Sequence, residues 1–353
     1  MSIIDRIRTH FCERDTGLLV KYLGLETGQP CSLRLAGLDD RLTAERVRQI
    51  IADIRQTLPF IEFPEFATTA DLFRNDAPFF CGHPPHSIEK EWGLPDEETL
   101  LRFAHFTGQK MPFDTYELKG FQRKIVISEY QLMIFSAYYD LFYSLAARSG
   151  GVFMERLHDA SKAAGRHSTI ERVSYFARCL SRLGFPIVDG QTSEGIWLGF
   201  PVQMTLPGRR VLRLLDVMPS LVITDRVMEK VIHAGIDIQD RIPKAIFPDW
   251  IRSAGVTMER NVVKLEPVEA NAPVRSASMP IDLCRYDSRT DRGIAAALVR
   301  MIVLLRDAGG RMAKKNFFDA CAAQGIALAT ARVYGYNSGI FRVEEEDITI
   351  PLH

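Results

Sequence analysis

The sequence lacks the short motifs that mark several large enzyme classes. It has no GxxxxGK[ST], no GxGxxG after a predicted strand, no GxSxG and no HExxH. These absences exclude the usual phosphate-binding loop, dinucleotide-binding turn, hydrolase nucleophile elbow and zinc-protease helix. We therefore expect no cofactor, and nothing in the sequence requires an enzyme.

Paired cysteines and long apolar runs are also absent. The six cysteines are widely scattered and form no CxxC pair, so a zinc ribbon has no support. Because no secretory signal is recognisable, we interpret them as reduced thiols of a cytoplasmic protein. No apolar run approaches the roughly 18 residues of a membrane-spanning helix, so we expect no membrane partner.

The chain has no net charge. Its 353 residues include 44 Lys and Arg and 44 Asp and Glu. This balance excludes a protein that is held on nucleic acid by overall charge alone, which needs a global basic excess. Any DNA binding must use local basic patches, and its non-specific component must be modest and strongly salt-dependent. The length allows two or three domains of roughly 100–200 residues each.

One stretch that is present, residues 41–50, is typical of a recognition helix. Thr43 is a good N-cap for a helix predicted over 43–57, because its hydroxyl can accept from a first-turn amide. An apolar stripe recurs at helical spacing and predicts one buried face: Val47, Ile50, Ile51 and Ile54. The remaining faces hold the polar candidates Glu45, Arg46, Arg48, Gln49 and Arg55. In a major groove, Arg suits guanine, Gln suits adenine and Glu accepts from cytosine.

The same region resembles region 4 of the sigma-70 family, the helix-turn-helix that reads the promoter −35 element. The resemblance covers residues 12–58 and rests on these positions: Leu23-Gly24-Leu25, Gly28, Ser32-Leu33, Gly37 and Leu42 to Ile50. It implies that Glu45, Arg48 and Gln49 face base edges. Ala44 stands where the family usually has Arg, so one DNA contact is missing. No sigma region 2 is visible upstream, so the resemblance does not imply a working sigma factor. The alternative is a polar-faced helix with no nucleic-acid role.

An internal repeat with an offset of 160 residues is the second informative feature. Gly150 falls on Gly310 and Gly165 on Gly325. Other matches are Asp159-Ala160 with Asp319-Ala320 and Arg172-Val173 with Arg332-Val333. Each copy reads as three helices followed by an alternating segment, which resembles the winged-helix plan.

These patterns predict a mainly α protein with small β-wings, built as a multidomain array of helix-turn-helix and winged-helix units. The predicted divisions are 1–58 for the helix-turn-helix domain, 59–127 for a connector of unknown role, 128–206 for a winged-helix-like domain, 207–266 for a third unit, 267–290 for a proline-containing linker and 291–353 for the C-terminal winged-helix-like domain.

The winged-helix-like copies supply further candidate DNA contacts. Arg and Thr side chains at a helix start suit phosphate contacts that fix register. The candidates are Arg166, Thr169 and Arg172 in the first copy and Lys314, Lys315, Thr330 and Arg332 in the second. The acidic wing Glu344–Asp347 would be repelled by phosphate, so it favours a protein partner for the C-terminal copy.

Two weaker patterns lie in residues 59–127. Cys81, His83 and His86 are three soft ligands within six residues, but no fourth ligand is recognisable and a proline-containing surface loop is the alternative. Asp114, Glu117 and Lys119 are similar to the end of a metal-dependent nuclease motif. No upstream strand with a first acid is evident, and a solvated turn is the alternative.

Our leading hypothesis is therefore a sequence-specific double-stranded DNA-binding protein of the cytoplasm. It would be a transcriptional regulator or the DNA-binding component of a mobile-element or defence system, and a homodimer is compatible with this. The rival hypotheses are a protein–protein adaptor that uses winged-helix folds and a metal-dependent nuclease. Loss of duplex binding in Arg48→Ala and Gln49→Ala would favour the first.

Overall fold

The structure, a computed structural model, confirms a mainly α protein with small antiparallel sheets. It describes residues 2–63, 65–82, 88, 92–109, 111–188, 195–265 and 293–350. The chain forms two compact units, Met1–Ser136 and Ala137–His353. We call these the N-terminal unit and the C-terminal unit. The predicted linker over 267–290 lies outside the described residues.

The N-terminal unit begins with a bundle of short helices. These are α1 Ile3–Arg8, α2 Glu13–Leu23, α3 Leu33–Ala36 and α4 Ala44–Thr57, followed by a 3-10 turn at Leu58–Phe60. Hydroxyl side chains fix three of the helix starts, because Ser2, Ser32 and Thr43 each accept a hydrogen bond from an amide of the first turn. The predicted helix over 43–57 thus matches α4.

The described residues between 65 and 128 include two helices and three strands, where we predicted a connector. The elements are α5 Glu65–Asp76, β1 Phe79–Phe80, α6 Glu97–Thr107, β2 Phe113–Glu117 and β3 Lys124–Ser128. The strands form an antiparallel sheet in the order β1-β3-β2. Short strands gave little periodicity in the sequence, so apolar alternation was a poor guide here.

Three further groups of helices and strands follow. The first contains α7 Glu129–Ser149, β4 Gly151–Phe153, α8 Met154–Ala163, α9 Ile170–Arg182, β5 Ile187–Val188 and β6 Trp197–Gly199. The second contains α10 Leu206–Leu215, β7 Leu221–Val222, α11 Asp225–Val227 with a π turn Met228–Ile232, α12 Phe247–Arg252, β8 Val256–Glu259 and β9 Val262–Leu265. The third contains α13 Ile294–Asp307, β10 Arg311–Ala313, α14 Lys314–Ala323, α15 Leu328–Asn337, β11 Arg342–Val343 and β12 Asp347–Thr349.

Each of these groups places a helix before a strand, then helices, then two more strands. The sheet orders are β4-β6-β5, β7-β9-β8 and β10-β12-β11, in which the last strand lies between the other two. This is the connectivity of a winged helix, and the strands of residues 65–128 share it. We refer to residues 65–128, 129–200, 206–265 and 294–350 as the first, second, third and fourth winged helix.

One backbone hydrogen bond recurs in all four winged helices. In each, the residue after the first strand donates its amide to a carbonyl at the start of the last strand. The pairs are Cys81 N to Lys124 O at 2.9 Å, Met154 N to Ile196 O at 2.9 Å, Ile223 N to Asn261 O at 2.7 Å and Lys314 N to Glu346 O at 2.9 Å. Gly165 and Gly325 also adopt the same left-handed turn, with φ of 73° and 72°. The 160-residue offset therefore joins structurally equivalent positions.

The core of the C-terminal unit is continuous between the third and fourth winged helices. One cluster of buried side chains extends from Trp197 to Ile350, and α10 packs against α13. Arg210 is buried within this region and its Nη1 donates to the carbonyls of Val231, Ile232 and Ala234 at 2.8–3.1 Å. The sequence analysis gave no hint of this role, because capping of carbonyls by a distant arginine depends on the tertiary fold.

Candidate nucleic-acid interface

Helix α4 is anchored on one side and open on the other. Val47, Ile50, Ile51 and Ile54 are all at most 6% exposed, and α4 packs on α2 and α3. The hydroxyl of Thr43 accepts from the amide of Arg46 at 3.2 Å, as the N-cap prediction requires. The buried stripe and the cap together fix the helix without using its outer face.

The turn before α4 makes an unusually close approach to it. A Cβ on Gly37 would lie 2.5 Å from Cγ2 of Val47, so only glycine fits at this position. The amide of Leu42 donates to the carbonyl of Gly37 at 2.9 Å, which closes the turn. The first residues of α4 are therefore held at a defined angle to α3.

The outer face of α4 holds a linked set of polar side chains. Glu45, Arg46, Arg48 and Gln49 are all exposed. The Arg48 guanidinium donates to both carboxylate oxygens of Glu45, at 2.9 and 2.7 Å. Arg46 Nη1 donates to Oε1 of Gln49 at 3.1 Å. Donors and acceptors for base edges thus stand side by side on the first turns of an exposed helix.

The Glu45–Arg48 pair does not prevent these side chains from reaching another partner. The hydrogen bond donated by Arg48 keeps the pKa of the Glu45 carboxyl group below its usual value, so the carboxylate stays ionised and can accept hydrogen bonds. Both side chains are about 60% exposed, and exposed ion pairs contribute little net stability. Exchanging this pair for contacts with a base would therefore cost little.

Arg55 lies on the same stripe as Arg48, two turns further along α4, but has a different neighbour. Its guanidinium lies over the ring of Phe106 in α6, 5.6 Å from the centroid. Arg55 therefore contacts α6 and stands apart from the polar side chains on the first turns of α4.

In the second winged helix, the predicted contacts at the start of α9 are partly occupied within the fold. Nη1 of Arg166 donates to the carbonyl of Ala137, and Nη1 of Arg172 donates to the carbonyl of His167 at 3.2 Å. Thr169 caps α9 through the amide of Arg172. A buried chain in which Ser168 contacts both Tyr138 and His158 holds the same turn. These contacts fix the start of α9. Arg178, further along the helix, is exposed.

In the fourth winged helix, three large apolar side chains of α15 are exposed. Leu328, Val333 and Tyr336 are 43%, 52% and 42% exposed. Val343 on β11 is also exposed, and α15 packs beside β11. The predicted contact Arg332 is exposed on the same face, whereas Thr330 is half-buried. This surface is suited to another protein more than to phosphate.

The wing of the fourth winged helix neutralises its own basic neighbours. Arg311 forms ion pairs with Glu344 at 3.2 Å and Asp347 at 2.5 Å. Nζ of Lys314 donates to the carbonyl of Glu345, which leaves Lys315 as the exposed lysine at the start of α14. The acidic wing therefore pairs with Arg311 and Lys314 of its own winged helix.

The third helices of the other two winged helices make internal hydrogen bonds on one side. In α6, Nη1 of Arg102 donates to the carbonyls of Leu23 and Gly28 at 2.8 and 3.3 Å, and α2 packs against α6. In α12, the buried Trp250 donates its indole N–H to the carbonyl of Phe200 at 2.9 Å, whereas Asp249 and Arg252 are exposed and paired with each other.

The sequence analysis missed α6, although its ends carry clear signals. Asp96 accepts from the amide of Thr99 at 2.8 Å as an N-cap, and Gly108 ends the helix in the left-handed conformation. An aspartate cap, two acidic first-turn residues and a terminal glycine would have identified the helix.

The geometry also bears on the two weaker metal hypotheses. Cys81 is buried, whereas His83 and His86 lie outside the described residues. Asp114 and Glu117 lie on strand β2, three residues apart, so their side chains point to opposite faces and cannot converge on one ion. Within the described ranges, no three His, Cys, Asp or Glu side chains form a group that could hold a metal.

Comparison with known proteins gives no match to any family model, any curated protein or any solved structure. Among the residues that the structure describes, no helix combines the length and apolarity needed to cross a membrane.

Proposed function

We propose that this protein binds double-stranded DNA in a sequence-dependent way, with α4 entering the major groove. The observation that supports this most is the exposed set of Glu45, Arg48 and Gln49 on a helix whose opposite side is fully anchored. Arg and Gln can each form bidentate contacts with one base, and Glu can accept from cytosine. Arg46, beside them, suits a phosphate contact.

The sigma-70 region 4 resemblance of residues 12–58 agrees with this proposal. A helix of that family at the same place would read a promoter element. The protein is then a transcriptional regulator of the cytoplasm, or the DNA-binding component of a mobile-element or defence system. The zero net charge implies that specificity depends on a few local contacts.

The test is duplex binding by the full chain. Random duplexes are selected on the protein, and the enriched sequence is measured by fluorescence anisotropy. We expect Arg48→Ala to weaken binding by tenfold or more and to relax the preference at one base pair, and Gln49→Ala to do the same at a neighbouring position. Arg74→Ala is the matched control, because Arg74 is also an exposed arginine paired with an acid three residues earlier, Asp71.

Failure to enrich any sequence at low salt would reject the proposal. Equal losses in Arg48→Ala and Arg74→Ala would show that general charge, and not α4, determines binding. Circular dichroism of each variant confirms that the fold is intact.

A second function is favoured by the apolar outer face of α15. We propose that this face binds a protein, and that a second copy of the chain is the first partner to test. Leu328, Val333 and Tyr336 are exposed on a helix whose other side is anchored by the buried Ala331 and Gly335. An apolar stripe of this kind is typical of a contact surface.

Light scattering after size-exclusion chromatography measures self-association of the full chain. We expect the wild-type mass to rise towards a dimer with concentration, and Val333→Glu to abolish that rise. Val222→Glu is the control, because Val222 is exposed to a similar degree (46%) on β7 of the third winged helix. A chain that remains monomeric at all concentrations, or a Val333→Glu variant that still dimerises, would reject self-association through α15.

A further inference from the structure

The N-terminal unit contains a cleft of about 790 Å³ between α2, α4, α6 and β2. Its volume is within the range of sites that bind small molecules, roughly 300–1,000 Å³. The floor is apolar and well buried, because Leu23, Leu101, Ala104 and Phe113 are each at most 9% exposed. A ligand could bury a hydrophobic body here without displacing a polar group of the protein.

The rim of the cleft presents a guanidinium group. Arg55 reaches it from α4 and lies over Phe106, and the edge of Tyr22 contacts the same ring with centroids 6.5 Å apart. Among the described residues, the ring of Phe106 is the partner found for the Arg55 guanidinium, and no carboxylate pairs with it. Its five N–H donors therefore remain for an anionic group.

The other charged side chains of the rim favour an anion over a cation. Glu98 is already engaged by Arg102 at 3.3 Å and Lys124 at 2.7 Å, so its charge is compensated locally. Asp114, on β2, is the remaining carboxylate of the lining, and its Oδ1 accepts from the amide of Thr115 at 2.7 Å. With Arg102 paired to Glu98, Arg55 is the guanidinium of the described lining for which no carboxylate partner is found.

We infer that this cleft binds a small organic anion, an aromatic or other hydrophobic body that carries one carboxylate, sulfonate or phosphate group. The body occupies the floor formed by Leu101 and Phe113, and the anion pairs with Arg55. Charge-assisted hydrogen bonds from a planar guanidinium supply the orientation. The site does not depend on DNA binding, since none of its residues belongs to the first turns of α4.

Two fluorescent probes with the same aromatic body separate the roles of floor and rim. 8-Anilino-1-naphthalenesulfonate carries an anion, and N-phenyl-1-naphthylamine does not. Titration of the full chain should show one saturable site for each probe. Arg55→Ala should weaken binding of the sulfonate about tenfold, which is about 1.4 kcal/mol, and leave binding of the neutral probe within about twofold.

Three further variants locate the site. Thr115→Trp places a large ring on the lining strand and should abolish binding of both probes. Arg74→Ala, an exposed arginine outside the cleft, and Val333→Glu, on the apolar face of α15, should change neither. Circular dichroism of each variant shows whether the fold is retained.

The inference is overturned if Arg55→Ala weakens the two probes equally, because the rim would then not select an anion. It is also overturned if Thr115→Trp folds and binds both probes as the wild type does, or if Val333→Glu removes the binding. Both results would place the probes elsewhere on the protein.

Discussion

Helix α4 of the N-terminal bundle and helix α15 of the fourth winged helix differ in the composition of their outer faces. Each follows a tight turn, buries one stripe and leaves the opposite side open to solvent. The face of α4 presents Glu45, Arg48 and Gln49, whereas the face of α15 presents Leu328, Val333 and Tyr336. The backbone arrangement alone therefore does not determine what such a helix binds.

Helices α6 and α12 make more internal contacts. Arg102 of α6 and Trp250 of α12 donate to carbonyls of neighbouring elements. The third helices of the winged helices therefore differ in how much of their surface packs within the protein and in the composition of the surface that remains exposed.

The largest expected effect is on the free energy of unfolding. It tests whether the buried sides of α4 and α15 anchor the two helices equally. Val47→Asp and Ala331→Asp each bury an unpaired carboxylate at a side chain that is now fully buried. We expect each to lower the free energy of unfolding by more than about 3 kcal/mol, measured by urea unfolding followed by circular dichroism.

The matched controls for that experiment are Ala52→Asp and Ala329→Asp, which put the same charge on the exposed sides of the same helices. These should change the free energy of unfolding by no more than about 0.5 kcal/mol. A large loss in a control, or none in a buried variant, would show that the anchored and open sides have been assigned wrongly.

An effect of intermediate size is the pH dependence that His233 of the C-terminal unit gives to the free energy of unfolding. Burial, and then the guanidinium groups of Arg241 and Arg210, lower the pKa of His233 in the C-terminal unit to about 4. An unfolded histidine titrates near 6.5, so between pH 6.5 and 4 the unfolded state binds more protons than the folded state. The free energy of unfolding should therefore fall with decreasing pH through this window, by roughly 2–3 kcal/mol.

Urea unfolding at a series of pH values measures this loss. His233→Phe keeps a ring of similar size and removes the titration, so its stability should vary less across the window. An identical pH dependence in the wild type and in His233→Phe would contradict the assignment.

The smallest effect concerns salt. If Arg46 contacts phosphate, Arg46→Ala should reduce the slope of log affinity against log salt by about 0.9 on the selected duplex. Arg332→Ala, on α15, should leave that slope unchanged if α15 binds protein. Equal reductions in the two variants would remove the distinction between the two faces. Arg252→Ala provides the baseline, because Arg252 on α12 is exposed and paired with Asp249.

The sequence was sufficient to predict α4, because its signals are local. The cap at Thr43 and the stripe beginning at Val47 lie within one helix, and the structure begins α4 at the next residue after the cap. The equivalence of Gly165 and Gly325 was likewise visible, since both are fixed by a turn that only a left-handed residue closes.

Features that depend on distant parts of the chain could not be predicted in this way. The indole N–H of Trp250 donates to a carbonyl 50 residues earlier in the chain, and Arg102 donates to carbonyls more than 70 residues earlier. Residues 65–128 were missed for a related reason, because a two-residue strand such as β1 becomes recognisable only when β3 pairs with it. Whether one face of a helix remains exposed is thus determined by the tertiary fold.

The packing of α10 against α13 affects how the chain can be dissected in the laboratory. A truncation that removes residues 294–350 would strip the partner from an apolar side of α10 and expose the shared cluster that includes Leu298 and Met301. A shortened protein would then aggregate or unfold for reasons unrelated to partner recognition. Single substitutions on α15 are the sounder genetic tool, and an expression fragment of this half should retain every residue from the start of α7 to Ile350.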